Sequence, residues 1–224
     1  MPNRPLLLGH RGARAEKSIP ENSLASFDRA LAHGCDGFEF DVRLSADCQP
    51  VICHDARVQG VEVANTPVSQ LELQLLSDVL KRYQGTAFLD IELKVPGLET
   101  ATLDLLRSCK PRRGYVISSF LPEVLQTVHS LDANASLGLI CETRAQFALW
   151  PSQPVDYVIS HYTLTEQNVI AEIKSAGKKI LVWTVNSPRE MKRFSKWGVD
   201  GIISDDPERL AHTLAKLNPR RLRT

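Results

Sequence analysis

The sequence contains no long hydrophobic run and no excess of charge of either sign. Its first apolar stretch, Leu6–Leu8, is too short for the core of a secretion signal, and no segment approaches the roughly 20 apolar residues of a membrane-spanning helix. The 27 Lys and Arg residues nearly balance the 26 Asp and Glu residues, which leaves a formal net charge of +1. We therefore expect a cytoplasmic protein with no membrane insertion, and we do not expect nucleic acid as its partner.

The cysteines also form no motif typical of a metal site or a redox-active pair. The five cysteines are scattered, and no two of them have the spacing of a zinc finger or of a redox-active pair. We interpret them as unpaired thiols in a reducing compartment. Linkers, low-complexity tracts and long charge runs are missing as well, so a single domain is expected over residues 1–224. The basic residues 219–224 are interpreted as a solvated end without a function.

What the sequence does contain is a regular alternation of strand and helix patterns. Eight times, a short apolar stretch typical of a buried strand is followed by apolar residues at helical spacing. Regular alternation predicts a parallel sheet, and eight units in one chain of this length favour a closed TIM (β/α)8 barrel of class α/β. An open doubly wound sheet is disfavoured because Gly9–Gly12 does not fit the G-x-G-x-x-G fingerprint. The predicted barrel strands are residues 4–10, 37–43, 88–94, 115–119, 136–140, 155–160, 180–184 and 201–203.

One segment interrupts this alternation. After the second predicted strand, residues 51–54 are expected to run back as a short strand, and residues 56–66 have a weak pattern that indicates an excursion. Residues 68–83 carry leucines at helical spacing and are predicted to form a helix.

The strand at residues 37–43 carries a pair of carboxylates. Apolar and charged residues alternate there, and Glu39 and Asp41 are two residues apart, so both project from one face of the strand. Such a pair suits two oxygen ligands of one hard cation. An ordinary half-buried strand with a wet polar face would have the same pattern. This stretch alone therefore leaves both interpretations open.

Other charged residues at the ends of predicted strands decide between these interpretations. Side chains at the carboxyl ends of barrel strands point into one mouth, where active sites lie. Three carboxylates, two histidines and two cations would meet there: Glu39, Asp41, Glu92, His10, His54, Arg11 and Lys94. Burying so many charges without a purpose would be costly. We therefore predict an active site at this mouth.

The residue types in this set predict metal-assisted cleavage of a phosphodiester. Carboxylates are hard oxygen donors, which favours Mg²⁺, Ca²⁺ or Mn²⁺ over zinc. The two cations can balance the charge and hold phosphate oxygens. The two histidines can exchange protons near neutral pH, one taking a proton from the attacking oxygen and the other protonating the leaving alkoxide.

These motifs, in this order along nearly the whole chain, resemble those of the glycerophosphodiester phosphodiesterase family. The stretches that carry the resemblance are Gly9–Ala13, Pro20–Ser23 with Phe27, Glu39-x-Asp41, His54-Asp55, Ile91–Lys94, Val182–Asn186 and Asp200–Asp205. The resemblance implies a TIM barrel, a divalent metal, and hydrolysis of small glycerophosphodiesters to glycerol 3-phosphate and an alcohol.

The resemblance also implies a role for each residue, by motif position. The metal ligands would be Glu39, Asp41 and Glu92, the acid/base pair His10 and His54, and the phosphate-binding residues Arg11 and Lys94. In this family the substrate's own glycerol 2-hydroxyl is thought to attack, giving a cyclic phosphate that water then opens. Two histidines that alternate roles would suit this route.

Two further residues are weaker candidates. Glu21 could orient Arg11 or His10, or touch the metal, although a carboxylate is also favourable at any helix N-terminus. Trp183 lies near the end of a strand and could pack against the glycerol or the leaving group, or simply within the barrel core.

Two aspartates near the candidate site receive structural interpretations. Asp90 shares a strand face with Glu92 but lies deeper in the barrel, which favours a structural carboxylate. Asp205, next to Asp206 and Pro207, is interpreted as part of a helix cap.

The sequence departs from the family after the His54-Asp55 motif. Residues 56–67 are short and lack the Arg-Thr-Thr-like stretch that members often carry there. Loops on the catalytic face shape the substrate pocket, so the identity of the leaving alcohol stays open. Two alternatives to a glycerophosphodiesterase also stay open: a lysophospholipase D-type enzyme for bulkier lipids, and a non-catalytic barrel that binds a phosphorylated metabolite.

Overall fold

Eight parallel strands form a closed barrel in this computed structural model, which describes residues 4–215. In chain order the strands are β1 (Leu6–His10), β2 (Gly37–Leu44), β3 (Pro50–Ile52), β4 (Arg57–Val58), β5 (Val61–Glu62), β6 (Phe88–Leu93), β7 (Tyr115–Ser119), β8 (Leu137–Cys141), β9 (Tyr157–His161), β10 (Lys179–Trp183) and β11 (Gly201–Ser204). The barrel order is β1-β2-β6-β7-β8-β9-β10-β11, and β1 closes the ring by pairing with both β2 and β11. The predicted TIM (β/α)8 barrel is confirmed.

The helices follow the barrel strands and cover their outer surface. They are α1 (Leu24–Ala32), α2 (Leu76–Tyr83), α3 (Glu99–Ser108), α4 (Pro122–Leu131), α5 (Arg144–Phe147), α6 (Gln167–Ser175), α7 (Pro188–Trp197) and α8 (Pro207–Ala215). Short 3₁₀ turns lie at Val63–Asn65, Val68–Gln70, Trp150–Ser152 and Tyr162–Leu164. Within residues 4–215, no helix combines the length and the apolarity needed to cross a membrane.

Apolar and charged residues alternate along β2, which places the apolar side chains in the core and the carboxylates on the opposite face of the strand. Phe38 and Phe40 belong to the large apolar layer between strands and helices, where Phe38 stacks on Phe27 of α1 at 4.2 Å. Glu39 and Asp41 occupy the opposite face and lie at the barrel mouth. Truncating a buried phenylalanine to alanine in such a layer typically costs about 3–5 kcal/mol, so this layer holds β2, and with it the carboxylates, in place.

A second apolar cluster fills the barrel interior. It consists of Leu8, Phe88, Val116, Ile140, Tyr157, Ile159, Leu181 and Ile203. These residues come from seven of the eight barrel strands, in the layered manner of this fold. Ile140, Ile159 and Ile203 also line the cavity at the mouth, so the interior core ends where the candidate site begins.

The segment after β2 differs in part from the prediction. The returning strand exists as β3, which pairs antiparallel with β2, and the excursion contains a small hairpin formed by β4 and β5. The predicted helix at residues 68–83 is wrong in its first half, because helix α2 begins only at Leu76.

Packing explains this difference. Leu71 packs against Val51, Cys53 and Val63 in a small separate core, and Leu75 forms a bridge with Val51 of β3. Leu71 and Leu75 are therefore packed against β3 by extended chain, whereas Leu76 and Leu80 of the same pattern are buried in helix α2.

Other predictions fall partly beyond the described residues. The predicted domain covers residues 1–224 and the basic end lies at 219–224; residues 1–3 and 216–224 are outside the described part of the chain.

Candidate active site

A cavity of about 350 Å³ opens at the carboxyl ends of the barrel strands. It is lined by His10, Arg11, Glu39, His54, Asp90, Glu92, Lys94, Phe120, Ile140, Glu142, Ile159, Trp183 and Ile203. The structure thus brings together six of the seven residues predicted for the mouth, together with Trp183. The seventh, Asp41, is 1% exposed and lies behind the cavity wall, in contact with residues that line it.

Three carboxylates converge at one side of this cavity. Glu39, Asp41 and Glu92 each place one oxygen within 4.8 Å of the others, and all three are buried. Paired strands cause this arrangement, because Asp41 of β2 lies directly beside Glu92 of β6. Oxygens at this separation can share one divalent cation at the 2.0–2.6 Å distances typical of Mg²⁺ and Ca²⁺. The Oε1 atom of Glu39 is buried and accepts no hydrogen bond from the described residues, as expected of a free ligand atom.

The electrostatics of the cluster are unfavourable without a bound cation. Burial, and then the charges of Asp41 and Glu92, hold the pKa of Glu39 well above its ordinary value. Burial, and then the charge of Asp41, raise the pKa of Glu92 to about 7. Burial also acts against the charged form of Asp41, but Lys94, Arg11 and Asn22 outweigh it and lower the Asp41 pKa. Near neutral pH the cation-free cluster therefore retains protons that a divalent ion would displace.

Arg11 and Lys94 border the carboxylates and reach the cavity. Arg11 Nε lies 3.1 Å from Asp41 Oδ2, and the Arg11 backbone N–H donates to Glu39 Oε2 at 3.0 Å. That backbone contact uses a left-handed conformation, with φ of 51°, which is uncommon outside glycine. Lys94 Nζ lies 2.6 Å from Glu92 and 3.3 Å from Asp41. The positively charged side chains of Arg11 and Lys94 are thus fixed beside the carboxylates, where they can contact an anionic ligand.

Glu21 contacts Arg11 rather than the carboxylate cluster. Its Oε1 accepts a hydrogen bond from Arg11 Nη1 at 2.7 Å, and its Oε2 accepts one from Arg14 Nε at 2.8 Å. Burial tends to raise the pKa of Glu21, but the two guanidiniums outweigh it and lower that pKa. Of the alternatives considered for Glu21, its placement favours orienting Arg11.

The two histidines line the cavity, and each is held by a carboxylate. His10 Nδ1 lies 2.7 Å from Asp205 Oδ1, and His54 Nδ1 lies 2.7 Å from Asp55 Oδ1. A carboxylate at that distance accepts a hydrogen bond from Nδ1–H, which leaves Nε2 of each ring for the cavity. His10 Nε2 is 3.8 Å from Glu39 Oε2, so one histidine directly adjoins the carboxylate cluster.

Asp205 is the residue that the sequence did not reveal. Asp206 serves the predicted cap, since its Oδ1 accepts from the Arg209 backbone N–H at 2.8 Å, whereas Asp205 turns toward the mouth and binds His10. Burial acts to raise the Asp205 pKa, but the hydrogen bond from His10, the His10 charge, Asn186 and Arg14 leave it far below its ordinary value. The available signal was its position, directly after the last barrel strand.

Two aromatic rings, Phe120 and Trp183, line part of the remaining cavity wall. Trp183 is half-buried and lines the cavity; its Nε1 donates to the Ile159 carbonyl at 3.1 Å. Phe120 meets the Trp183 ring edge-on, with 5.6 Å between the ring centroids. Trp183 thus borders the space open to a ligand while also packing onto the interior core.

Comparisons with known proteins agree with this architecture. The sequence model of the "Glycerophosphoryl diester phosphodiesterase family" matches residues 10–104 and 99–209. A glycerophosphodiester phosphodiesterase of Caldanaerobacter subterraneus is 29% identical over 246 residues, covering 95% of this chain and 99% of that protein.

Two solved structures resemble the chain closely. A phosphodiesterase of Oleispira antarctica, in complex with the product sn-glycerol-3-phosphate, superposes with a TM-score of 0.82 and 25% identity, covering 94% of this chain and 97% of that one. A glycerophosphodiester phosphodiesterase of Thermotoga maritima gives a TM-score of 0.81 and 25% identity, covering 96% of this chain and 99% of that one.

Proposed function

The chain belongs to the glycerophosphoryl diester phosphodiesterase family and is a glycerophosphodiester phosphodiesterase, and we propose how the residues at its barrel mouth catalyse the reaction. The substrate is a small glycerophosphodiester, which is hydrolysed to glycerol 3-phosphate and an alcohol. The observation that carries the proposal is the convergence of three buried carboxylates with two carboxylate-held histidines in one cavity.

Glu39, Asp41 and Glu92 are the proposed ligands of one divalent cation, Mg²⁺ or Ca²⁺, with Mn²⁺ as a further candidate. Their oxygens are the donor type that these ions prefer, and Glu39 Oε1 is available to bind. When bound, such a cation supplies positive charge that stabilises the phosphoryl oxygens as negative charge develops on them.

Arg11 and Lys94 are the proposed phosphate-binding residues. Each is fixed by buried carboxylates, so each presents its charge to the cavity without a large loss of side-chain freedom on binding. Glu21 supports Arg11 through their hydrogen bond, and Trp183 packs against the substrate on the aromatic side.

His10 and His54 are the proposed acid/base pair. One accepts the proton of the glycerol 2-hydroxyl as that oxygen attacks phosphorus, and the other protonates the alcohol oxygen as its bond to phosphorus breaks. The cyclic phosphate is then opened by water, with the two roles exchanged. Nε2 of each ring is free for this exchange because Nδ1 is engaged by Asp205 or Asp55.

The test is release of glycerol 3-phosphate from glycerophosphocholine, followed with a coupled dehydrogenase in the presence of Mg²⁺, Ca²⁺ or EDTA. We expect cation-dependent release that EDTA abolishes and that falls severely in Glu92→Gln. Glu172→Gln, the same change on exposed helix α6, is the matched control and should retain full activity. Full activity of Glu92→Gln would remove Glu92 from the cation site, and tight glycerol 3-phosphate binding without turnover would favour a non-catalytic barrel.

Two features beyond the reaction stay predictions from the sequence: the cytoplasmic location and the single domain over residues 1–224. A parallel assay on lysophospholipid micelles tests the lysophospholipase D alternative, which requires faster release from micelles than from the soluble diester.

A further inference from the structure

The charged and apolar residues of the cavity are divided between opposite sides of the barrel. The predicted catalytic and phosphate-binding residues belong to β1, β2 and β6 or to the segments that follow them. Strands β7 to β11 and their loops contribute Phe120, Trp183 and three isoleucines. Among residues 4–215, Glu142, which directly follows β8, is the one carboxylate that lines the cavity on this second side. Strand β8 lies four strands from β1 in either direction, so Glu142 stands across the mouth from His10 and Arg11.

The Glu142 carboxylate is free to bind a ligand. The residue is exposed at the rim, and among residues 4–215 its side chain forms no hydrogen bond or ion pair; only its backbone N–H is used, donating to Gln146 Oε1 at 3.0 Å. An exposed glutamate is usually just solvated. Glu142, however, lines the active-site cavity, which Phe120 and Trp183 also line.

These rings are suited to a cation. The Trp183 ring is fixed by its hydrogen bond to the Ile159 carbonyl and by edge-on packing against Phe120. Lys94 Nζ lies 5.7 Å from the Phe120 ring centroid, so a second cation is better placed at Trp183 and Glu142 than at Phe120. Aromatic faces attract ammonium groups, and they are particularly effective for a quaternary ammonium, which has no N–H to donate to a hydrogen bond. The three isoleucines that line the cavity offer such a group an apolar surface with no side-chain hydrogen-bond donor or acceptor.

We propose that Phe120, Trp183 and Glu142 form a subsite for the leaving alcohol, and that this subsite favours an alcohol with a cationic ammonium group, as in choline or ethanolamine. The proposal rests on the proposed function, which places the phosphate at Arg11 and Lys94. In the proposed reaction one histidine adjoins the glycerol 2-hydroxyl and the other adjoins the leaving oxygen, and we place the rest of the alcohol, beyond that oxygen, toward the opposite wall. Glu142, exposed at the rim of that wall, meets the outward end of the substrate.

The experiment compares kcat/KM for glycerophosphocholine and for glycerophosphoglycerol, whose leaving alcohol is neutral. The wild-type enzyme is expected to prefer the choline diester, and Glu142→Gln should reduce the ratio of the two kcat/KM values by about three- to fivefold, as for a partly exposed charge pair. Added salt should reduce the ratio in the wild type and have little effect on it in Glu142→Gln. Glu172→Gln, with the same chemical change on the exposed surface of α6, should leave the ratio unchanged.

Each alternative result has a distinct meaning. An unchanged ratio in Glu142→Gln would overturn the subsite, and so would an equal loss with both diesters, since Glu142 would then act on the glycerol half that they share. Phe120→Leu provides a second check, because it should lower the ratio while both diesters are still cleaved. Failure of the wild type to cleave any diester would instead overturn the proposed function, and the subsite with it.

Discussion

Asp205 Oδ1 lies 2.7 Å from His10 Nδ1, although the two residues are 195 positions apart in the sequence. The contact exists because β1 and β11 pair directly where the barrel closes. Asn186 Nδ2 donates to the other Asp205 oxygen at 2.7 Å, so the carboxylate is itself held in place. The His10 ring is thereby fixed with its Nε2 toward the cavity.

This contact predicts that Asp205→Asn lowers kcat by about 10- to 100-fold, with a smaller effect on KM. The amide can occupy the same space, but it carries no charge to stabilise a protonated His10 and can present an N–H in place of an acceptor. Steady-state kinetics on glycerophosphocholine measure the split between the two constants. Asp206→Asn is the control, because Asp206 caps helix α8 and should affect stability rather than kcat. An equal loss of kcat in both variants would contradict the role of Asp205.

The sequence could predict the barrel because the periodicity of each strand–helix unit is local. It could also predict that residues at the carboxyl ends of different strands lie close together, since the parallel barrel places all of these ends at one mouth. The role of Asp205 was not predicted because its partner is defined only by closure of the ring, and an aspartate two residues before a proline fits a helix cap equally well.

Helix α2 shows a second limit of prediction from sequence. Spacing of apolar residues describes which side of a segment is buried when the segment is helical, but extended chain packed against a small core can bury the same leucines. Leu71 and Leu75 do so against Val51, and nothing within residues 68–83 alone distinguishes the two cases.

Glu21 provides a prediction about substrate binding. Its hydrogen bond at 2.7 Å orients Arg11, so Glu21→Gln should loosen the guanidinium and raise KM about three- to tenfold while changing kcat less. Glu16→Gln is the matched control, because Glu16 pairs with Arg29 outside the catalytic cavity. Kinetics on a single diester separate the two variants, and a KM that stays at the wild-type value in Glu21→Gln would count against the orienting role.

Asp90 provides a prediction about stability. It is fully buried, burial raises its pKa to about 7, and its Oδ1 accepts a hydrogen bond from Ser118 at 2.5 Å. An unfolded aspartate has a pKa of about 3.9, so the folded state is progressively penalised as pH rises from there to about 7, and the full penalty is present above 7. Asp90→Asn removes this penalty and should be more stable than the wild type at pH 8, on the order of 1–3 kcal/mol, but not at pH 4.

Urea denaturation at pH 4 and at pH 8 measures this difference. Asp104→Asn, a change at an exposed aspartate paired with Arg107, should stay within about 0.5 kcal/mol of the wild type at both pH values. A stability gain of Asp90→Asn that is the same at the two pH values would show that burial of charge is not its cause.

The carboxylate cluster predicts a pH-dependent affinity for the divalent cation. Burial raises the pKa of Glu92 to about 7 and that of Glu39 well above its ordinary value. A ligand oxygen must lose its proton before it binds a cation, so binding near neutral pH releases protons. The apparent Kd for Mg²⁺ should therefore increase as pH falls below 7. Calorimetry in two buffers of different ionisation enthalpy measures the released protons.

The same pKa shifts link cation binding to stability. An unfolded glutamate has a pKa of about 4.3, so the cation-free protein loses stability as pH rises from there through about 7, because the folded state retains protons that the unfolded state releases. Mg²⁺ removes the cause of this loss and should raise Tm more at pH 8 than at pH 5. In Glu92→Gln the difference between the two pH values should shrink, whereas Glu172→Gln should behave as the wild type does. A gain in Tm from Mg²⁺ that is equal at both pH values would place the cation away from these carboxylates.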